Sequence, residues 1–459
     1  MTSSLMTDLY ELTMLRAARQ AGIADRRCVF EVFVRSLPAG RRYGVLAGTG
    51  RVLEAIADFR FDAEDIAYLR SLDVLDEDTL AFLADYRFGG TVLGYEEGEL
   101  FFPTSPVLRV EGTFAEAVLL ETVILSIINH DSSVASVGSR MVTAARGRPC
   151  IEMGGRRVHE EAAVAAARAA AIVGFAATSN LAAGQRYGIP VRGTAAHAFT
   201  LLFDQEREAF TAQITAQGAG TTVLVDTYDV AEAVRTAVDI AGPELGAVRL
   251  DSGDLAEQSR ALRAQLDSLG ATGTKITATS DLDEYRVEAL AGVPVDSFGI
   301  GTRLVTGGGH PAPGFVYKLV EREGADGLMH PVGKRSENKS TLGGAKRAFR
   351  LGAAGTARAE LVLPSAAEIY EFERELMDEL DRREASPLWT EATVRELQVP
   401  LIVDGEPVET PTPAEQVARA RARHEASLAE LGLTAEDGPD GHLAIPTITD
   451  GLLAAAVLD

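Results

Sequence analysis

Cysteine is nearly absent. Only Cys28 and Cys150 occur in 459 residues, which excludes a disulfide framework and any zinc-ligand spacing. Lysine is almost as scarce: of 44 basic residues only Lys275, Lys318, Lys334, Lys339 and Lys346 are lysines. Genome composition accounts for that clustering as well as a segment handling anions as point charges does. Positive charge as a whole is outnumbered. With 67 acidic residues the net charge is −23, and the sequence pI is near 4.8. Such a surface excludes a general nucleic-acid binder, which needs clustered Lys and Arg. It leaves room for a local basic pocket for a phosphorylated small molecule. No uninterrupted apolar run reaches the ~18 residues of a membrane-spanning helix. The N-terminus has neither a basic n-region nor an apolar h-region. A soluble cytoplasmic protein, with no nucleic-acid and no membrane partner, is the expectation.

What is present is enough apolar sequence, 46%, for more core than one ~150-residue unit needs. Residues 1–20 have helical spacing, with Leu5, Leu9, Leu12 and Leu15 near one stripe. Residues 28–35 alternate like a strand. Residues 51–59, 63–72 and 77–85 read as helices, and 91–95, 99–102 and 107–110 as short strands. An N-terminal α+β domain over 1–112 follows. From 113 the pattern changes. A long apolar helix over 113–129 is followed by seven short buried runs, 150–153, 173–177, 191–194, 222–225, 247–250, 275–278 and 297–300, with helices between them. This alternation predicts an α/β fold for 113–314, an irregular seven-stranded parallel α/β barrel. In the C-terminal segment, 315–459, the sequence predicts a strand from Phe315, a polar basic loop over 333–344 and strands over 345–351 and 359–363. Helices are expected over 367–383 and 412–431, and the tail 438–459 has no assignable element. This segment is expected to pack partly with the N-terminal domain.

The ends of the predicted strands hold the chemistry. In order they read Gly154-Gly155-Arg156-Arg157, Thr178-Ser179-Asn180, Thr194-Ala195-Ala196-His197, Asp226-Thr227-Tyr228-Asp229, Asp251-Ser252-Gly253-Asp254, Thr279-Ser280-Asp281 and Gly299-Ile300-Gly301-Thr302-Arg303. Loops after barrel strands converge on one face, where active sites lie. Each cluster also has an ordinary structural use as a turn or helix cap. Seven in succession, with several Asp, three Arg and a His, favour a site. Gly299 and Gly301 free backbone N–H groups for a phosphate. Arg156 and Arg157 suit phosphate or carboxylate, or a surface pair capping the next helix. Arg249, Asp251 and Asp254 place a cation and two carboxylates around one turn, fit for sugar hydroxyls or Mg²⁺, or for an N-cap. His197, framed by small residues, serves either as a site residue or as a core histidine held by a backbone carbonyl.

Four stretches together resemble the nicotinate phosphoribosyltransferase family. They are Thr7-Asp8-Leu9-Tyr10-Glu11-Leu12-Thr13-Met14, Gly193-Thr194-Ala195-Ala196-His197, Arg249-Leu250-Asp251-Ser252-Gly253-Asp254-Leu255 and Phe298-Gly299-Ile300-Gly301-Thr302. They stand in that family's order and span about residues 5–430. The resemblance implies a type II phosphoribosyltransferase fold, an irregular α/β barrel with an α/β domain built from both chain ends. It implies a reaction in NAD biosynthesis: nicotinate and phosphoribosyl pyrophosphate give nicotinate mononucleotide and pyrophosphate, with ATP as co-substrate and Mg²⁺ as cofactor. It implies a homodimer with shared active sites. Carried over by motif, Tyr10 of the partner subunit would stack on the pyridine ring. Met153 stands where the family has an aromatic, so a thioether would pack against the ring instead. Arg156 and Arg157 would hold pyrophosphate or the nicotinate carboxylate. Thr178 and Ser179 would line the ring pocket, and Arg249 would be a second anion ligand. Asp251 and Asp254 would serve the ribose hydroxyls and Mg²⁺, and Gly299, Gly301 and Thr302 the 5′-phosphate. His197 resembles the histidine that ATP phosphorylates. Nicotinamide is the alternative substrate, and a catalytically silent nucleotide-binding regulator the alternative from another class.

Overall fold

The computed structural model describes residues 4–334, 343–353, 355–365, 392–432, 445 and 447–449. Two compact units appear. Among the described residues, one gathers those within 4–133 and 312–432 together with 445 and 447–449; the other gathers 134–311. The sequence places the first boundary at 112/113. The contact division falls at 133/134 because the helix expected to stop at 129 runs on as Glu121–Ala145. The helical stretch Phe114–Ala145 is long and apolar enough to cross a membrane by length and composition, and 61% of its most apolar window is buried in protein.

The large sheet of the first unit is antiparallel. Its seven strands run in the order Met329–Pro331, Phe315–Glu323, Arg27–Val34, Leu108–Thr113, Thr91–Tyr95, Gln398–Val403 and Glu406–Pro407. Strands from both chain ends thus share one sheet, as the resemblance implies. Arg27–Val34 is an interior strand, third of the seven, and is buried on both faces beyond Arg27, so the alternation read there does not separate a wet from a dry face. Glu31 on that strand meets Lys346 at 2.8 Å, a buried charge matched by an opposite one. Against this sheet pack Leu9–Gln20, Thr49–Ala57, Ala63–Ser71 and Glu77–Asp85. The helix Leu9–Gln20 buries Leu12 and Leu15 but leaves Leu9 exposed, and Leu5 lies exposed in the preceding 3-10 turn Ser4–Met6, so the four-leucine stripe covers only half its expected length. A second, four-stranded sheet holds Lys346–Ala353 and Thr356–Pro364. The helix Pro413–Glu430 starts on a Thr412–Glu415 capping box with proline in its first turn. The expected helix over 367–383 and most of the tail 438–459 lie outside the described residues.

The second unit is the parallel one. Its sheet runs Ala177–Thr178, Cys150–Glu152, Ser297–Ile300, Lys275–Ala278, Ala247–Leu250, Thr222–Leu224. In chain order these are strands 2-1-6-5-4-3, a circular sequence opened at one point. The fold is therefore a curled parallel sheet with helices, and the seven-stranded barrel is corrected to six strands among the described residues. The opening falls between Ala177–Thr178 and Thr222–Leu224, where residues 191–194 were expected to form a strand. Only the single bridge Thr178–Val191 forms there. Pro190 removes a ladder donor, and Gly193, Ala195 and Ala196 offer no side-chain face to bury. Residues 173–177 are also not one strand. The helix Glu160–Ile172 reaches into that run, and Gly174 turns the chain with φ +104°. The sheet core is Val223, Val248, Leu250 and Ile276 under Val234, Leu262 and Leu266.

Candidate active site

All six strands are parallel, so their C-terminal ends share one edge. A cleft of about 630 Å³ opens there. Its wall includes Met153, Arg156 and Arg157 after one strand and Ser179 and Asn180 after the next. Thr194, Arg249 and Asp251 follow, then Thr279, Ser280 and Asp281, and finally Gly299, Gly301 and Thr302. This is where a parallel α/β sheet binds ligands.

The floor is anchored by Glu152. It is fully buried; Oε2 accepts from the Thr178 hydroxyl at 2.5 Å, and Oε1 accepts from the Gly154 N–H. Burial raises its pKa, opposed by those two donors. One carboxyl group thus ties the turn carrying Met153 and the arginines to the turn carrying Ser179. Thr178 is consumed by this anchor and is buried beneath the cleft. Asn180 caps the helix Leu181–Tyr187 by accepting from Ala183 N–H at 2.9 Å. Gly299 has no space for a side chain: a Cβ there would lie 2.5 Å from Thr279 Cγ2 and 2.7 Å from Met153 Sδ. The Met153 thioether therefore packs on the glycine strand end. After the neighbouring strand Ser280 and Asp281 hold φ of +109° and +44°, strained backbone for residues with a Cβ.

Electrostatics centre on Arg249. Its Nη1 donates to Thr194 Oγ1 at 2.8 Å, and its Nε is buried without a partner. Burial depresses its pKa; Asp251 and Asp226 oppose that, and the Arg156 charge adds to it. A guanidinium stays protonated, so this arrangement is a cation with donors still free for an anion. Arg192, exposed beside Gly193, adds another cation to the rim.

His197 begins the short helix His197–Thr200. Its Nδ1 lies 3.2 Å from Thr227 Oγ1. Nε2 faces two carboxylates, Asp251 Oδ2 at 3.9 Å and Asp226 Oδ1 at 4.0 Å. The His197 side chain is 39% exposed, whereas that of Asp226 is 4% exposed. Asp226 Oδ2 accepts from Asp251 N–H at 2.8 Å and Ser252 Oγ at 2.7 Å. Its Oδ1 is buried without a hydrogen-bond partner. That atom is the least satisfied oxygen of the site.

The structure thus brings together Met153, Arg156, Arg157, Ser179, Arg249, Asp251, Gly299, Gly301 and Thr302, with His197 adjoining Asp251. Asp254 stands apart from these. Its Oδ1 caps the helix Leu255–Ser268, accepting from Ala256 and Glu257 N–H at 3.0 Å, and it does not line the cleft. Tyr10 belongs to the other unit, on Leu9–Gln20, 44% exposed, with its hydroxyl pKa raised to about 12 by burial and by Glu121 and Glu11. Sequence reasoning passed over Asp226, Arg192, Thr279 and Asp281. Asp226, Thr279 and Asp281 stand in strand-end clusters legible in the sequence, and only the fold selects them from their neighbours.

The chain is similar to several known proteins. Residues 5–129 match the model of the nicotinate phosphoribosyltransferase (NAPRTase) N-terminal domain. The Mycobacterium tuberculosis protein named nicotinate phosphoribosyltransferase pncB1 is 58% identical over 372 residues, 79% of this chain and 82% of its own. The Bacillus subtilis nicotinate phosphoribosyltransferase is 39% identical over 360 residues, 76% and 73% of the two chains. The crystal structure of human nicotinic acid phosphoribosyltransferase superposes with a TM-score of 0.78 at 26% identity, covering 98% of this chain and 99% of that one.

Proposed function

The chain belongs to the nicotinate phosphoribosyltransferase family, and we propose that the cleft at the strand ends is where it joins nicotinate to phosphoribosyl pyrophosphate. The products are nicotinate mononucleotide and pyrophosphate, a step of NAD biosynthesis. The observation that carries the assignment of the cleft is Arg249, a half-buried cation with an unpartnered Nε, lining the cleft with Asp251, Gly299 and Gly301.

In the reaction the C1′–O bond to pyrophosphate breaks and a bond from C1′ to the pyridine nitrogen forms. That nitrogen holds a lone pair, so no general base is required. Positive charge builds on the ribose as pyrophosphate leaves. Asp251 faces that charge, while Arg156, Arg157 and Arg249 receive the departing anion or the nicotinate carboxylate. Gly299, Gly301 and Thr302 take the 5′-phosphate. Ser179 and Met153 line the ring pocket, with Tyr10 of the partner subunit completing it in a homodimer. Positioning supplies most of the acceleration.

Coupling to ATP runs through His197. With Nδ1–H donating to Thr227, Nε2 presents its lone pair to the γ-phosphorus of ATP; the N–P bond forms as the bond to the bridging oxygen of the β-phosphate breaks and ADP leaves. Two carboxylates face that same position and would repel the phosphoryl oxygens. Magnesium fits this donor set, because Asp226 Oδ1 is buried and unsatisfied and Asp251 Oδ2 lies beside the same ring nitrogen. Among the described residues no group of three or more His, Cys, Asp or Glu side chains could hold a metal ion by itself, so phosphate and water would have to supply the remaining ligands. Bound there, magnesium would neutralise phosphate charge.

The test is turnover with nicotinate and with nicotinamide, each with and without ATP. Nicotinate mononucleotide formation, stimulated by ATP, is expected. Preference for nicotinamide would overturn the substrate assignment, and binding without turnover would favour a silent regulator.

A further inference from the structure

Thr279 follows the Lys275–Ala278 strand and is buried. Its Oγ1 hydrogen-bonds Asp251 Oδ1 and lies 3.0 Å from the Leu250 carbonyl. That carbonyl already accepts the Thr279 N–H at 2.8 Å. A hydroxyl has a single proton to give. With Asp251 ionised, the proton goes to Oδ1, and the Leu250 carbonyl keeps its other donor. The other end of threonine has separate work: Cγ2 fills the space beside Gly299 where a Cβ would stand 2.5 Å away.

Fixing Oδ1 fixes Oδ2. The last torsion of an aspartate is broad and roughly two-fold, so a carboxylate held at one oxygen only by solvent swings freely. Here Oδ2 stays 3.9 Å from His197 Nε2. Asp226 is held in the same way, with Oδ2 tied to Asp251 N–H and Ser252 Oγ and Oδ1 left toward His197. Each carboxylate beside the histidine is thus restrained at its far oxygen by a hydroxyl, and the restraint on Asp251 comes from a different strand end.

We propose that Thr279 is a positioning residue: its hydroxyl holds Asp251 against His197, so that phosphoryl transfer from ATP to His197 depends on it more than nicotinate binding does. The inference rests on the reading of His197 as the phosphoryl acceptor. Thr279→Val keeps the methyl packing on Gly299 and deletes the hydroxyl. Thr279→Ser keeps the hydroxyl and deletes the methyl.

The experiment measures acid-labile ³²P incorporated from γ-labelled ATP, together with kcat and the KM for nicotinate. Loss of a hydrogen bond to a charged group predicts that Thr279→Val slows phosphorylation and ATP-stimulated kcat roughly tenfold or more, with the nicotinate KM within about twofold. Thr279→Ser restores phosphorylation to within about threefold of the native rate. Native rates in Thr279→Val, or equal losses in the two variants, overturn the proposal. If the valine variant does not fold, Thr279→Ala replaces it; both it and the serine variant lack the methyl, and equal phosphorylation in the two overturns the proposal. If the native protein itself takes no acid-labile phosphate, the reading of His197 fails first, and the proposal fails with it.

Discussion

Replacing Arg249 by methionine removes the cation from the centre of the cleft but keeps a long apolar stem. In the structure this guanidinium makes one hydrogen bond, to Thr194 Oγ1 at 2.8 Å, and leaves Nε unpartnered. Its remaining donors are available to phosphate or carboxylate. One charge-assisted hydrogen bond of that kind is worth ~1.5–3 kcal/mol. That converts to a fall of about 10- to 150-fold in kcat/KM. The fold loses one hydrogen bond, and Asp251 and Asp226 lose a cation between them. It also gains, because an incompletely paired charge is no longer buried. A net destabilisation of ~1–2 kcal/mol corresponds to about 2–8 °C in Tm for a unit of this size. The assay is steady-state kinetics with nicotinate and phosphoribosyl pyrophosphate varied in turn, alongside thermal melting. Arg249→Lys should fall between, since lysine keeps the charge but not the planar fork. A methionine variant with kcat/KM within about threefold of native and an unchanged Tm would refute the reasoning.

Asp226→Asn keeps the shape and one acceptor for Asp251 N–H and Ser252, but it takes the charge from the unsatisfied Oδ1. The Mg²⁺ concentration at half-maximal ATP-coupled activity should rise about tenfold or more; an unchanged Mg²⁺ titration contradicts the fit of the ion to these oxygens. His197→Ala should abolish stimulation by ATP while leaving some basal transfer, and intact coupling in that variant would remove the phosphohistidine role. Glu11 is buried, accepting from Thr122 N–H at 3.0 Å and from two threonine hydroxyls. Burial raises its pKa from 4.5 to about 7, with those donors opposing. A native carboxyl with a raised pKa binds a proton the unfolded chain has lost, so its contribution is full below 4.5 and disappears as pH rises through about 7. Glu11→Gln should therefore lose less Tm than the native protein between pH 5 and pH 8 in melting curves; parallel curves would contradict the sign.

The strand-end clusters were legible because polar residues interrupt apolar runs at regular spacing. Five of the expected strands keep nearly their expected bounds, including Ala247–Leu250, Lys275–Ala278 and Ser297–Ile300. The gap at 191–194 was not legible. A short run beginning with Val reads as a strand until the partner edge is seen to meet it at one residue only. Asp254 shows the limit of motif transfer. Its spacing fits a hydroxyl ligand and an N-cap equally, and the helix behind it decides. Asp226 shows the reverse: nothing in Asp226-Thr227-Tyr228-Asp229 marks the first aspartate over the last. Asp229 caps the helix Val230–Ala241, whereas the neighbouring strand's Asp251 N–H and Ser252 turn Asp226 toward His197.

The measurement closest to the central claim is a crystal structure of the protein with nicotinate mononucleotide bound. It should show the 5′-phosphate at Gly299–Thr302, the pyridine ring beside Met153 and Ser179, and the carboxylate or phosphate on Arg249. A nucleotide bound elsewhere, with this cleft filled only by water, would contradict the account.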